Sequence, residues 1–387
     1  MDIRKKVGCL VVAAAFGAVG SAQDRGTVPV GKVAWTFAPD GAWFGGLEHG
    51  DGVVYAIERK GFVYALDAKT GEQLWKTSKQ RACSQQFGIE LAAGDDPAGL
   101  VFSSDDGLSL LDRETGKELW HADVGGLDGP ACTADRVIAA SSDGKVYAFS
   151  LRDGRKVWEH DYVEDAPPDP EGLSGESARF GGKAARPGHA TTDGSLVVVP
   201  VFDQCRAVAV DVATGKRAWA FQTQGWMGAR PTFGPRNVML GSQDRHIYAV
   251  DKTTGKLAWK HKTGGRLSGS ARATERFAFV GSCDAFLYCV DQVVGHVKWR
   301  YETEHQKGRG APLYSRPLLL GDAVYLAAMS GKLYAVDRKT GAQRWKMTPV
   351  KDSEPNSDLF TDGERLFLST RRDGDKGRGA IVAIDLP

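Results

Sequence analysis

Short apolar runs alternate with tight polar turns along this chain, and the alternation repeats. Representative runs are Phe62-Val63-Tyr64-Ala65-Leu66, Ile247-Tyr248-Ala249-Val250 and Leu333-Tyr334-Ala335-Val336, each ending immediately before an Asp. Their length and their β-branched and aromatic content are those of strands. They are apolar on both faces, which suits a middle strand packed between two neighbouring sheets. After each run comes Asp-x-x-Thr-Gly, a second tight turn. The Asp and Thr side chains can bond nearby backbone, and the Gly supplies a positive φ. Upstream lies another apolar run, as in Val137-Ile138-Ala139-Ala140, closed by Ser141-Ser142-Asp143-Gly144. Asp-Gly between apolar runs marks a hairpin.

Four residues beyond the turn glycine stands a Trp. The grammar is clearest in Leu66-Asp67-Ala68-Lys69-Thr70-Gly71-Glu72-Gln73-Leu74-Trp75. It returns at Asp112/Gly116/Trp120, Asp211/Gly215/Trp219, Asp251/Gly255/Trp259, Asp291/Gly295/Trp299 and Asp337/Gly341/Trp345, and loosely at Ser150/Gly154/Trp158. An eighth copy is split. Gly31-Lys32-Val33-Ala34-Trp35 is a second half, and Val382-Ala383-Ile384-Asp385 is the missing first half. Complementary fragments at opposite ends predict a closed ring. A period near 40 residues with strand chemistry predicts a propeller blade of four antiparallel strands. The expectation is an all-β, eight-bladed β-propeller whose last blade takes its outer strand from residues 28–37. Closure removes open sheet edges.

The eight tryptophans Trp35, Trp75, Trp120, Trp158, Trp219, Trp259, Trp299 and Trp345 share one register and read as structural wedges between blades. Each indole buries about 150–250 Å², which sets an upper bound of about 4–6 kcal/mol per residue.

At 387 residues and 42% hydrophobic content the chain can bury a large core, and the single repeat argues for one domain over residues 23–387. A formal net charge of +2 with interspersed signs gives no footprint for nucleic acid. Arg4-Lys5-Lys6, the apolar stretch Val7 to Val19 and the small residues Gly20-Ser21-Ala22 read as a signal peptide over residues 1–22. Cys9 precedes the apolar stretch, so a lipid anchor is not expected. The expectation is a soluble, monomeric periplasmic or secreted protein with no transmembrane segment in its mature part. Five cysteines remain: Cys83, Cys132, Cys205, Cys283 and Cys289. An odd number leaves at least one unpaired. A Cys83–Cys132 bridge is open, and Cys283 and Cys289 flank a hairpin that would set Cys283 opposite about Phe286, out of register with each other.

The pattern Ala/Val-x-Asp-x-x-Thr-Gly-x-x-x-Trp, with Ala65, Ala209, Ala249 and Ala335 two residues before the Asp, resembles the tryptophan-docking repeat of pyrroloquinoline quinone (PQQ)-like propellers. The resemblance covers residues 28–387. It implies one of two activities: quinoprotein dehydrogenases that hold PQQ and Ca²⁺ in the channel and oxidise alcohols or sugars, or non-catalytic propellers similar to the BamB-type outer-membrane assembly factors. The dehydrogenase branch implies adjacent cysteines and a Glu/Asn calcium site. No Cys-Cys pair exists, and the two asparagines are Asn237 and Asn356, the latter beside Glu354 and Asp358. The assembly-factor branch fits better in length and blade number. It implies protein partners in the cell envelope and no cofactor. A propeller that binds a small ligand or glycan is a third reading.

Function in such a ring sits in the channel and its loops. Ala229-Arg230-Pro231 and Ser315-Arg316-Pro317 place arginines at inner-strand starts, with Ala185-Arg186-Pro187 slightly out of register. Arg186, Arg230 and Arg316 are therefore candidates for an anion or partner site at the channel mouth. The Pro-, Gly- and acid-rich insertion 161–189 is a candidate docking loop. Smaller excursions carry His305, Lys307 and Arg309, and the charged turn 371–378. Metal-ligand spacings, Gly-x-Ser-x-Gly and phosphate-loop signatures are absent from the sequence.

Overall fold

The computed structural model describes residues 30–39, 44–78, 81, 88–92, 99–162, 186–306, 309–372 and 379–387. The segment 1–22 expected to be a signal peptide, Cys83, Lys307 and most of the 161–189 insertion lie outside the described residues.

Among the described residues eight blade sheets follow one another along the chain. A two-stranded hairpin of His305–Gln306 and Arg309–Gly310 lies between the sixth and seventh, and in the last both Ser353–Pro355 and Phe360–Thr361 pair with Arg365–Arg372. The first blade is built of Phe44–Gly50, Val53–Glu58, Val63–Asp67 and Gln73–Lys76, hydrogen-bonded in that order. The next six repeat the arrangement in chain order. The eighth joins both termini: Gly379–Asp385 pairs with Arg365–Arg372 on one side and with Lys32–Phe37 on the other. Lys32 stands opposite Asp385 and Phe37 opposite Ile381. The ring is thus latched by main-chain hydrogen bonds between segments about 350 residues apart in sequence.

Ring closure is also visible in the core. Eight hydrophobic clusters occur, one at each seam between adjacent blades, where an open row of eight blades would have seven. The closing seam packs Phe367, Ile381 and Ala383 of the last blade against Phe44, Val54 and Tyr64 of the first. Second and third strands carry this burial: Val63 to Leu66 and Val197 to Val199 are almost fully buried.

The repeat motif has a direct structural meaning. Asp67 Oδ1 accepts from the backbone N–H groups of Lys69 and Thr70 and from the Thr70 hydroxyl, which closes the turn. Asp112, Asp211, Asp251 and Asp337 do the same for their own threonines. The Trp then reaches the next blade. Seven indoles donate their N–H to a carbonyl on the neighbouring blade's turn segment at 2.7–3.2 Å, from Trp35 to Ala68 through Trp299 to Arg338. The indole also lies on the turn glycine. At Gly71, where φ is +75°, a Cβ would come within 2.6 Å of the Trp35 ring. Trp345 is buried at the seam between the last two blades.

The Ala two places before the Asp is explained by register. Ala65 stands opposite Trp75, Ala249 opposite Trp259 and Ala383 opposite Trp35. A bulge follows each of these pairs on the path to the turn or at the split strand. The small residue leaves room for the indole, and the bulge turns it toward its neighbour. Cys289 occupies this place opposite Trp299.

Cys132, Cys205, Cys283 and Cys289 are free thiols. The hairpin register differs by one residue from the sequence expectation. Ser282, not Cys283, bonds Phe286, and Cys289 faces Phe279. The left-handed Ala285 (φ +69°) accounts for the shift, because it adds a third residue to the loop between Ser282 and Phe286.

Candidate functional site

Innermost strands surround the ring axis, and their register sets what lines it. Glu48 stands opposite Tyr55, Thr232 opposite Met239, Arg272 opposite Phe279 and Leu318 opposite Tyr325. Glu48 and Arg272 therefore hold equivalent places on the first and sixth blades. Two residues before the equivalent place on their own blades stand Arg230, Arg316, His189 and Asp358. All six line the channel.

The channel consists of two adjoining cavities of about 430 and 470 Å³ that share Glu48, Arg230, Asp358 and Phe360. The larger adds Glu90, Cys132, Arg272 and Arg316. The smaller adds His189, Ser270, Tyr314 and Arg371. Three arginines from three successive blades thus face a cavity whose far wall holds two glutamates from the first and second blades.

Confinement reshapes these charges. Burial pushes the Glu48 carboxyl up to about 8; neighbouring Glu90 adds to the shift and Arg230 opposes it. Glu90 rises to about 7 through burial, although the Cys132 N–H donates to it at 3.2 Å and Arg230 and Arg316 favour its ionised form. Burial, then Arg272, lowers the Arg316 guanidinium to about 10, with Asp358 and Glu48 acting in the other direction. Deeper in, Asp128 rises to about 7 through burial, against a 2.7 Å bond from the Gly129 N–H. Its carboxyl lies 3.4 Å from His189 Nε2. Burial and then Arg230 drive that imidazole well below its usual range. Both partners are pushed toward neutrality, as expected for charge removed from water.

The structure brings Arg230 and Arg316 to the channel. Arg186 is not brought there: it is exposed, its backbone N–H donates to Asp203 at 2.9 Å, and it lines neither cavity. Pro187 bridges to Val201 before the inner strand Thr191–Thr192 begins, and His189 takes the inward place. Glu48, Glu90, Asp128, His189 and Arg272 were not singled out by motif. Their signal is positional: each follows from counting back from its blade's second strand.

The segment around Asn356 is committed to the fold. Glu354 pairs with Arg371 at 3.0 Å, Asn356 Nδ2 donates to the Phe44 carbonyl, and Asp358 accepts the Arg316 N–H at 2.8 Å. Asn237 is buried and donates to Gln292 O at 3.2 Å. Among the described residues no group of three or more His, Cys, Asp or Glu side chains could hold a metal ion. The described side chains around Asn356 do not fit Ca²⁺, which needs six to eight converging oxygens.

Eight blades, seven of whose seams are stitched by a Trp N–H bonded to the next blade's turn, define a propeller of the PQQ-like repeat class. Within that class the chain belongs to the family described as outer membrane protein assembly factor BamB, whose model matches residues 21–91, 59–199 and 203–384. It is similar to BamB of Shewanella oneidensis, 31% identical over 120 residues, covering 28% of this chain and 30% of that one. It is also similar to BamB of Burkholderia pseudomallei, 30% identical over 170 residues, covering 39% and 42%. The chain therefore spans less than half the length of these relatives. A polyvinylalcohol dehydrogenase of a Sphingopyxis species is 26% identical over 243 residues, 52% of this chain and 36% of that one. Among solved structures, BamB of Moraxella catarrhalis superposes with a TM-score of 0.67 at 16% identity, over 92% of this chain and all of that one. That likeness shows the fold.

Proposed function

We propose that this chain is an exported, non-catalytic propeller scaffold that presents its loops and channel mouth to protein partners during outer-membrane protein assembly. The observation that carries this reading is the family match, which runs through nearly every blade. The geometry supports it. Stitching by seven indoles makes a rigid platform, and rigid scaffolds are what position binding loops. Among the described residues no helix is long and apolar enough to cross a membrane. Tyr314, with 47% of its surface exposed, stands at the rim of the smaller cavity and offers an aromatic contact.

The test is deletion in the native cell together with a photo-crosslinker at Tyr314. The expected result is a drop in folded outer-membrane proteins and a crosslink to a component that assembles them. Unchanged outer-membrane protein levels would overturn the reading. The match to polyvinylalcohol dehydrogenase favours a second reading, a PQQ-dependent oxidation. Calorimetric titration with PQQ, with and without Ca²⁺, separates the two, since tight Ca²⁺-dependent binding would replace the scaffold by an enzyme.

A further inference from the structure

We propose that the larger axial cavity is a binding site for a small di- or tricarboxylate, clamped by the guanidinium groups of Arg230, Arg272 and Arg316. The site goes beyond the scaffold reading and stands independently of it.

The first argument is the availability of the charges. Other arginines on the ring are paired, among them Arg113 with Asp51, Arg344 with Asp322 and Asp337, Arg365 with Asp385, and Arg371 with Glu354. Among the described residues the side chains of Arg230 and Arg272 make neither a hydrogen bond nor an ion pair. Arg316 commits its Nε to the Ala271 carbonyl at 3.0 Å and leaves its terminal nitrogens uncommitted. Three half-buried guanidinium groups from adjacent blades, facing one cavity of about 470 Å³, repel one another. An anion placed among them relieves that repulsion and receives bidentate, charge-assisted bonds.

The second argument is the far wall. Glu48 and Glu90 line the same cavity, yet neither pairs with an arginine, so the cationic wall is not cancelled by direct contact. Asp358, the remaining acid there, is engaged by the Arg316 N–H. A carboxylic acid at Glu48 can donate a hydrogen bond to the second carboxylate of a ligand whose first is held by the arginines. Two opposed anchors across a cavity of this size select a multi-carboxylate over a single compact anion.

The wall also links binding to protons. Glu48 faces Glu90, Arg230, Arg316 and Asp358 from four other blades, and the His49 N–H from its own strand. Burial and the Glu90 charge favour its protonated form near neutrality. An anion nearby raises Glu48 and Glu90 further. Affinity therefore grows as pH falls from above 8 toward 6, with net proton uptake on binding.

The experiment is calorimetric titration of the purified chain with citrate and with succinate at pH 6.5 and 8.5, with sodium phosphate at matched ionic strength. The expected result is one citrate per chain, bound more tightly at pH 6.5. The double variant Arg230→Gln, Arg272→Gln should weaken citrate by at least about tenfold while its melting temperature stays close to wild type, because neither side chain bonds the protein. Glu48→Gln should flatten the pH dependence. No binding of citrate, equal binding by the folded double variant, or phosphate binding as tightly as citrate would each overturn the proposal.

Discussion

The indole N–H of Trp35 donates to the carbonyl oxygen of Ala68 at 3.0 Å, and this bond ties the chain's first strand to a turn on the first blade. Trp35 belongs to the last blade through its pairing with Gly379–Asp385, so the contact closes the circle that the backbone latch begins. Six further tryptophans make the equivalent bond around the ring.

Substitution at Trp120 separates burial from hydrogen bonding. Its indole donates to Leu151 O at 2.9 Å and packs against the seam between the second and third blades. Trp120→Phe should cost about 1 kcal/mol for the lost bond, and Trp120→Ala about 3 kcal/mol, the low end for a partly buried aromatic. Urea midpoints followed by circular dichroism measure both. A Trp120→Phe midpoint equal to that of wild type would remove the bond from the account.

Two glycines distinguish strain from contact. Gly52 has φ +74° and nothing within 4 Å of where a Cβ would sit, whereas Gly71 has φ +75° and the Trp35 ring at 2.6 Å. Gly52→Ala should cost about 1 kcal/mol for the left-handed backbone alone. Gly71→Ala should cost clearly more, because the indole must move. Thermal melts of the pair decide it, and matching values would show that the stacking contributes nothing.

Removing residues 379–387 takes away the strand between Arg365–Arg372 and Lys32–Phe37, together with the fully buried Ile381, Val382, Ala383 and Ile384. The truncated chain should lose its single cooperative transition and bind an apolar dye. A calorimetric trace like that of the full chain would show that the latch is dispensable.

Stability should depend on pH in a defined direction. Glu48 and Glu90 titrate near 8 and 7 in the folded ring, above their usual value of 4.5. The folded state then holds protons that the unfolded chain releases. The stabilisation is complete below about 4.5 and is lost as the pH rises through 7 to 8. The turn carboxylates run the other way: hydrogen bonds from Thr70 and Thr115 depress Asp67 and Asp112, whose stabilisation is lost only in acid as the pH falls through their lowered values. Between pH 6.5 and 8.5, above the window in which the depressed His189 acts in the opposite direction, the melting temperature should fall, and Glu48→Gln should flatten that slope. A rising melting temperature over this window would contradict the assignment.

Blade count, ring closure and the partner of every turn were legible in the chain because the motif is local. Asp67, Thr70 and Gly71 build one turn by contacts within four residues, and Trp75 follows at a fixed strand offset. The halved motif at Trp35 and Asp385 declared closure for the same reason. The channel was legible only in part. Inner strands such as Thr232–Phe233 and Thr191–Thr192 are two residues long, too short to show a hydrophobic period. Ala185-Arg186-Pro187 copies the composition of Ala229-Arg230-Pro231 but starts its strand later, so Arg186 points the analogy to the wrong place and His189 faces the axis.

What the amino-acid sequence determined by itself was therefore the repeating blade, since its turns, bulges and indole docking are set by residues near one another in the chain. What only the tertiary structure decided was the electrostatics of the axis. Glu48, Glu90, Arg230, Arg272 and Arg316 come from five blades and meet only when the ring is closed, and their shifted protonation arises from that shared, confined space.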